Sequence, residues 1–372
     1  LELNVGLICA PELPETICRE LIEPLSRYCQ NHVDDKYEWT LDIMVDPLTG
    51  AVEDSKEIFN EASKIADQQN WDYTICVTDL LLFDKKKIIL ADLNKDLDIA
   101  LLSLPAFGAP PMKNRTFKMI KQIVYELHNQ DLSAARIKET ATHQMKQKLR
   151  LSPIKRRKAS ISEETNVIRY SVVPKINGKV RAIFGMTYAN RPWAVIASFK
   201  PIIAVAFATG AYTLIFPTLW ELSIHYNLLR LVAITFVAIT SMIIWMIVSH
   251  HLWEKRTKEG KAKMKKLYNT TTLITLTVAV LAYYIVLFAI FSIAIVFFVP
   301  PDLFESLTEI EKDVTLTSFL RLSWLATSIA TLAGSIGASA ESTELIRNIA
   351  YGYRQNRRYN EVKERNVQDD NN

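Results

Sequence analysis

The chain has 372 residues, 49% of them hydrophobic and 23% charged, with a net charge of only +4. That sum averages an acidic region with basic flanks, and no nucleic-acid partner is expected from it. The composition excludes a wholly soluble protein, because four long apolar stretches fill the second half of the sequence.

Residues 1–130 read as one α/β domain, long enough for a single core. The opening Leu1-Glu2-Leu3-Asn4-Val5 passes straight into a strand-like run at 4–10, so no cleavable leader is expected. Residues 15–30 are amphipathic. Residues 38–45 alternate, with Trp39, Leu41, Ile43 and Val45 on one face. Residues 52–69 have helical periodicity through Ile58, Phe59, Ala62, Ile65 and Ala66. Strands are predicted at 72–78, 87–91 and 98–104, and a helix at 117–128. The alternation predicts a largely parallel sheet covered on both faces.

Acidic residues fall where these predicted strands end: Glu12, Asp46, Asp79 and Asp92. Ligands of open α/β sheets bind outside the carboxyl ends of the strands. Clustered carboxylates there suit a hard cation such as Mg²⁺, with Asp46, Asp79 and Asp92 as ligands and Thr78 and Glu12 nearby. The competing reading is ordinary turn chemistry, since Asp and Glu favour turns and helix starts. A phosphate ligand is not expected: no glycine follows Gly6 in the first turn, and Glu12 and Glu15 repel an anion there. The cysteines Cys9, Cys18, Cys29 and Cys76 form no CxxC pair and read as reduced packing residues.

Residues 131–192 read as a basic linker. Residues 132–149 are predicted to continue as a helix. Lys155, Arg156, Arg157 and Lys158 are placed near anionic lipid, where each contributes ~1 kcal/mol, or form a solvated linker. Asn177-Gly178 lies between two β-prone runs and predicts a hairpin over 169–184.

Four transmembrane helices are predicted at about 195–220, 229–249, 273–299 and 318–340. The flank before the first span and the loop at 255–266 are basic, as is the tail with Arg347, Arg354, Arg357 and Arg358. The loop at 300–317 is acidic, with Asp302, Glu305, Glu309, Glu311 and Asp313. Basic flanks stay inside, so both termini are expected in the cytoplasm of a plasma-membrane protein. Trp193, Trp220, Trp253 and Trp324 lie near the expected interfaces.

The fourth span carries Ser323, Thr327, Thr331, Ser335 and Ser339 at i, i+4 spacing. This stripe is either a helix-packing face or the lining of a pore built from several copies. Spans two and three contain no charged residue, which argues against an ion-coupled pump. Residues 341–372 form a charged, helical tail that is expected to run on into the cytosol and meet the α/β domain.

The stretches Gly6-Leu-Ile-Cys-Ala-Pro-Glu-Leu-Pro14, Trp71-Asp-Tyr-Thr-Ile-Cys-Val-Thr-Asp79 and 341–358, with its Tyr-Gly-Tyr-Arg-Gln core, are similar to four-span membrane proteins of Gram-positive bacteria that have no established activity. The resemblance implies a bacterial plasma membrane and transfers no catalytic residue or ligand. The resulting expectation is a homo-oligomeric membrane protein. Its cytosolic α/β domain senses a ligand or partner and regulates a membrane assembly, with a passive channel as one form. The alternatives are a membrane-anchored metal-dependent enzyme and a docking scaffold.

Overall fold

The computed structural model describes residues 2–50, 55–84, 87–129, 154–159, 167–172, 175–193, 196, 199–254, 262–308, 314–337 and 346–369. Two compact units are present. One comprises residues 1–189 with 354–372, the other residues 190–353.

The first unit is built on a mixed sheet. Its strands are β1 (Glu2–Cys9), β2 (Glu38–Val45), β3 (Tyr73–Thr78), β4 (Leu82–Asp84), β5 (Lys87–Asn94), β6 (Ile99–Ser103), β7 (Ile154–Ala159) and β8 (Val167–Val172). The order is β2-β1-β3-β6-β5-β8-β7, with β4 paired to β5. The expected parallel arrangement holds for β2, β1, β3 and β6. It does not extend further: β5 returns antiparallel beside β6, and β8 and β7 follow antiparallel. The reason is local. Only four residues separate β5 from β6, too few for a parallel crossover, and Asp98 takes a left-handed φ of 55° in that turn.

Helices α1 (Leu13–His32), α2 (Ser55–Gln69) and α3 (Met112–His128) cover the sheet. α1 buries Ile17, Cys18, Leu21, Leu25 and Cys29, one apolar face at helical spacing. α2 packs Ile58, Phe59, Ala62 and Ile65 against Ile8, Cys76 and Leu101. Strand β1 is buried continuously from Val5 to Cys9, as a central strand covered on both faces must be.

The region read as linker and hairpin is corrected. Lys155, Arg156, Arg157 and Lys158 lie in β7, and the antiparallel partner of that strand is β8, not a segment beyond Asn177-Gly178. Asn177 and Gly178 sit inside helix α4 (Lys175–Ala189). A buried helical face, Ala182, Met186 and Ala189, outweighs the two-residue turn signal. Gly185 is what lets α4 approach the turn at Leu104–Phe107: a Cβ there would lie 2.1 Å from the Pro105 carbonyl oxygen. The helix predicted at 132–149 lies outside the described residues.

A polar pin holds the β7–β8 pair to α3. Glu126 is fully buried and accepts hydrogen bonds from Arg156 (Nη2 to Oε2, 3.0 Å) and from the Tyr170 hydroxyl. Burial, reinforced by the Glu126 charge, pushes the Tyr170 phenol well above its ordinary value.

The second unit is helical: α5 (Lys200–Ile215), α6 (Pro217–His225), α7 (Leu228–Ser249), α8 (Ala262–Phe298), α9 (Pro301–Thr308) and α10 (Leu316–Gly337). Three helices are long and apolar enough to cross a membrane: Leu228–Ser249, Lys265–Phe298 and Leu316–Ile336. A fourth crossing is available if the pair formed by α5 and α6 counts as one. The first predicted span therefore needs revision. It breaks at Phe216, and α6 leaves α5 at 88°. Pro217 has no backbone N–H to continue the ladder, and Phe216 before it is extended (φ −96°, ψ 105°). The third predicted span starts earlier than expected, within a helix of 37 residues that is ~55 Å long.

α10 is the central helix of this unit. Of its most apolar stretch 61% is buried, against 28% for α7 and for α8. Leu322, Ala326 and Ala330 of α10 pack with Phe199, Ile202, Ala206, Met242 and Tyr283. Gly210 lets α5 meet α8, since a Cβ there would lie 1.9 Å from the Phe291 ring. Phe236, Ile285, Ile293 and Phe297 point outward and exposed, as hydrocarbon-facing residues would.

Candidate functional site

The strand order turns at β1 and β3. The chain leaves β1 for β2 on one side, then returns across to β3 on the other. The crevice outside the carboxyl ends of those two strands is where open α/β sheets bind ligands. Backbone bonds fix its rim: Ala10 N donates to the Val77 carbonyl at 2.9 Å, and Asp46 N to the Cys9 carbonyl at 3.0 Å. Glu12 ends the turn after β1 and Asp79 follows β3. Glu12 has φ 74° and ψ −114°, a conformation that L-residues rarely hold without compensation.

The C-terminal helix, Tyr351–Asp369, fills this crevice with three arginines. Arg358 grips Asp79 through both nitrogens, Nη1 to Oδ1 at 2.6 Å and Nη2 to Oδ2 at 3.3 Å, and Nη2 also donates to the Pro11 carbonyl at 3.3 Å. Arg354 Nη2 lies 3.5 Å from Asp79 Oδ2, and its Nη1 lies 3.9 Å from Glu12. Arg357 reaches Glu12 at 3.5 Å and its own helix neighbour Glu361 at 3.4 Å. Positions 354, 357 and 358 share one helix face, and Val362, four residues further on, joins Ile8, Ile58 and Cys76 in the core.

The electrostatics of Asp79 decide its state. Burial raises its pKa, but the charges of Arg358 and Arg354 and the Arg358 hydrogen bond outweigh burial and hold the carboxyl below the usual range. Taking away one partner of such a buried pair typically destabilises by about 3–5 kcal/mol.

The other acidic residues are placed differently. Asp92 lies within β5, opposite Leu101 and Arg169, rather than after a strand. Arg169 donates to it from Nε and Nη2, both at 2.8 Å, and Ser55 donates at 3.2 Å. Burial nevertheless leaves the Asp92 carboxyl raised. Asp46 is buried at the end of β2, and its carbonyl accepts from the Thr49 hydroxyl at 2.7 Å. Thr78 Oγ1 accepts from Leu80 N at 3.1 Å. Among the described residues, no group of three or more His, Cys, Asp or Glu side chains is placed to hold a metal ion. The four cysteines are buried thiols, and burial pushes Cys29 up to about 12.

The hydroxyl stripe of α10 is covered by helices of its own chain. Ser323, Thr327 and Thr331 are fully buried and Ser335 nearly so. Ser323, Thr327 and Ser335 bond back to carbonyls of α10 itself. Ser339 lies outside the described residues. Interhelical polar contact comes instead from Thr235, Tyr284, Trp324 and Ser328, joined by hydrogen bonds of 2.6–3.2 Å across α7, α8 and α10. Arg321 donates to the terminal carbonyls at Ser223, Ile224 and Tyr226, capping α6.

The i, i+4 spacing of Arg354 and Arg358 is visible in the sequence, where both belong to a basic flank. Nothing local signals Arg169 or Glu126, whose ion-pair partners Asp92 and Arg156 lie 77 and 30 residues away. No protein-family model, curated protein or solved structure matches the chain.

Proposed function

We propose that the chain is a polytopic integral membrane protein that crosses the bilayer four times, and that its α/β unit is a cytoplasmic regulatory domain clamped to the C-terminal helix. The clamp at Asp79 supports this reading. Residues 354–369 fold with residues 1–189, which supports a chain that enters and leaves the apolar unit on one side of the membrane. The number of crossings is then even. Three long helices alone give an odd number, and the bent α5–α6 pair supplies the fourth. The basic flanks assign the shared side to the cytoplasm.

The C-terminal helix is what such a domain has to work with. It follows α10, the most buried apolar helix, with 13 residues between Gly337 and Tyr351. A ligand or partner that releases or tightens the clamp changes the restraint on α10. The signal is thus a shift between clamped and released states. Flux through the Ser/Thr stripe is not part of this reading, because the described hydroxyls face the interior of their own chain. The enzyme alternative finds no metal-donor cluster among the described residues.

Asp79→Asn in the full chain, reconstituted in liposomes, tests the reading by hydrogen exchange. Faster exchange in both the C-terminal helix and α10 is expected. Release of the helix with unchanged exchange in α10 would refute a regulatory link.

A further inference from the structure

We infer that the crevice outside β1 and β3 is a receptor for guanidinium groups presented on a helix. The C-terminal helix fills it at rest, and an arginine-bearing helical peptide supplied from outside exchanges with it. This rests on the clamp reading above and adds the chemistry of the ligand that works the clamp.

The charge of the crevice selects the ligand class. The carboxylates that meet these arginines are Asp79 and Glu12, and Asp79 is almost fully buried. A neutral occupant would strip Asp79 of its counter-charges, the kind of change that is strongly unfavourable in a buried pair. An anionic occupant would add repulsion. Only exchange of one cation for another leaves the balance nearly unchanged.

Geometry narrows the class from cations to guanidinium. Arg358 binds Asp79 through two nitrogens and still reaches the Pro11 carbonyl, a fork that an ammonium group cannot reproduce. Arg354 approaches the same carboxylate one helical turn earlier. Glu12 holds its left-handed backbone while pairing with Arg354 and Arg357, so the turn keeps an unfavourable conformation at the place where it meets these arginines. The recognised pattern is Arg-x-x-Arg-Arg-x-x-x-Val, as in residues 354–362.

Access follows from exposure. The Glu12 and Arg357 side chains are 29% and 27% exposed, whereas the Arg354 and Arg358 side chains are 2% and 0%. An incoming helix meets Glu12 first and Asp79 only as the resident arginines withdraw. The resident helix competes at the high effective concentration of a tethered ligand, so the exposed pair is the place to weaken it.

The test uses the whole 372-residue chain with spin labels at Lys64→Cys and Tyr359→Cys, both solvent-exposed sites, beside native cysteines that are buried. The probe is a synthetic peptide copying residues 351–364, against the same peptide with citrulline at its three clamp arginines. The expected result is a longer label separation with the arginine peptide alone, at several-fold lower peptide concentration in Arg357→Gln. Equal displacement by both peptides would overturn the guanidinium requirement. No displacement in Arg357→Gln at saturating peptide, while Asp79→Asn does free the helix, would overturn exchange and leave the clamp standing. Helix release without any change in α10 would instead refute the regulatory reading and leave the receptor standing.

Discussion

Arg358 and Asp79 are 279 residues apart in sequence, yet Nη1 of one lies 2.6 Å from Oδ1 of the other in a buried, two-pronged ion pair. A pair of this kind joins the end of the chain to the first sheet. It contributes order more than net stability, because desolvating both charges offsets much of their attraction. It holds the C-terminal helix at the carboxyl ends of β1 and β3.

Asp79→Asn leaves Arg354 and Arg358 buried beside a neutral amide, and docking of the helix should weaken by about 3–5 kcal/mol. Asp79→Leu combined with Arg358→Met removes both charges together. The double variant should dock better than either single change predicts. Protease sensitivity of the C-terminal helix measures the cycle, and simple additivity would count against a coupled pair.

The pH dependence has a defined sign. The Asp79 carboxyl is held below its ordinary value of 3.8, so the docked state takes up its proton later than the released state does. The stabilisation is present above 3.8 and is lost as pH falls toward the lower folded value. Acid should therefore release the helix in the wild type, and Asp79→Asn should show a flatter profile in the same window. Asp92 acts in the opposite sense. Its raised carboxyl makes stability fall as pH rises from 3.8 to its folded value, so a global unfolding curve mixes the two and a label on the helix is the better readout.

Glu12 carries two opposed effects. Glu12→Gly relieves the left-handed backbone but removes the contacts to Arg354 and Arg357. Glu12→Ala removes the contacts without relieving the backbone. The alanine variant should be less stable than the glycine variant by about 1 kcal/mol, within the range for such residues, while both should hold the helix less tightly than the wild type. Thermal unfolding compares the first effect and helix proteolysis the second.

Gly210→Leu places a side chain where even a Cβ lies 1.9 Å from the buried Phe291 ring. The helical unit should lose several kcal/mol, seen as aggregation in detergent, and Phe291→Ala should recover part of it. Equal behaviour of the single and double variants would mean that α5 and α8 do not meet there.

Much of the first unit was legible in the sequence because its signals are local. The faces of α1, α2 and α3 and the apolar run of β1 are properties of neighbouring residues. The antiparallel half of the sheet was harder, since a short turn after Asn94, rather than composition, sets the direction of β6 relative to β5. Asn177-Gly178 misled for a similar reason: a turn preference of one dipeptide yields to burial of Ala182, Met186 and Ala189. The acidic strand ends were half legible. Asp46 and Asp79 do end parallel strands, but Asp92 does not, and the arginines that answer Asp79 come from the far end of the chain. Apolar length located α7, α8 and α10 well and missed the bend at Phe216, which depends on one proline.

The most direct test of the account is sided labelling of intact membranes with an impermeant thiol reagent, using His225→Cys, Lys258→Cys and Tyr359→Cys one at a time. The native thiols are buried and give a low background. Four crossings with a docked C-terminal helix predict that His225→Cys reacts from outside and that Lys258→Cys and Tyr359→Cys react only after permeabilisation. Reaction of His225→Cys from inside, or of Tyr359→Cys from outside, would contradict it.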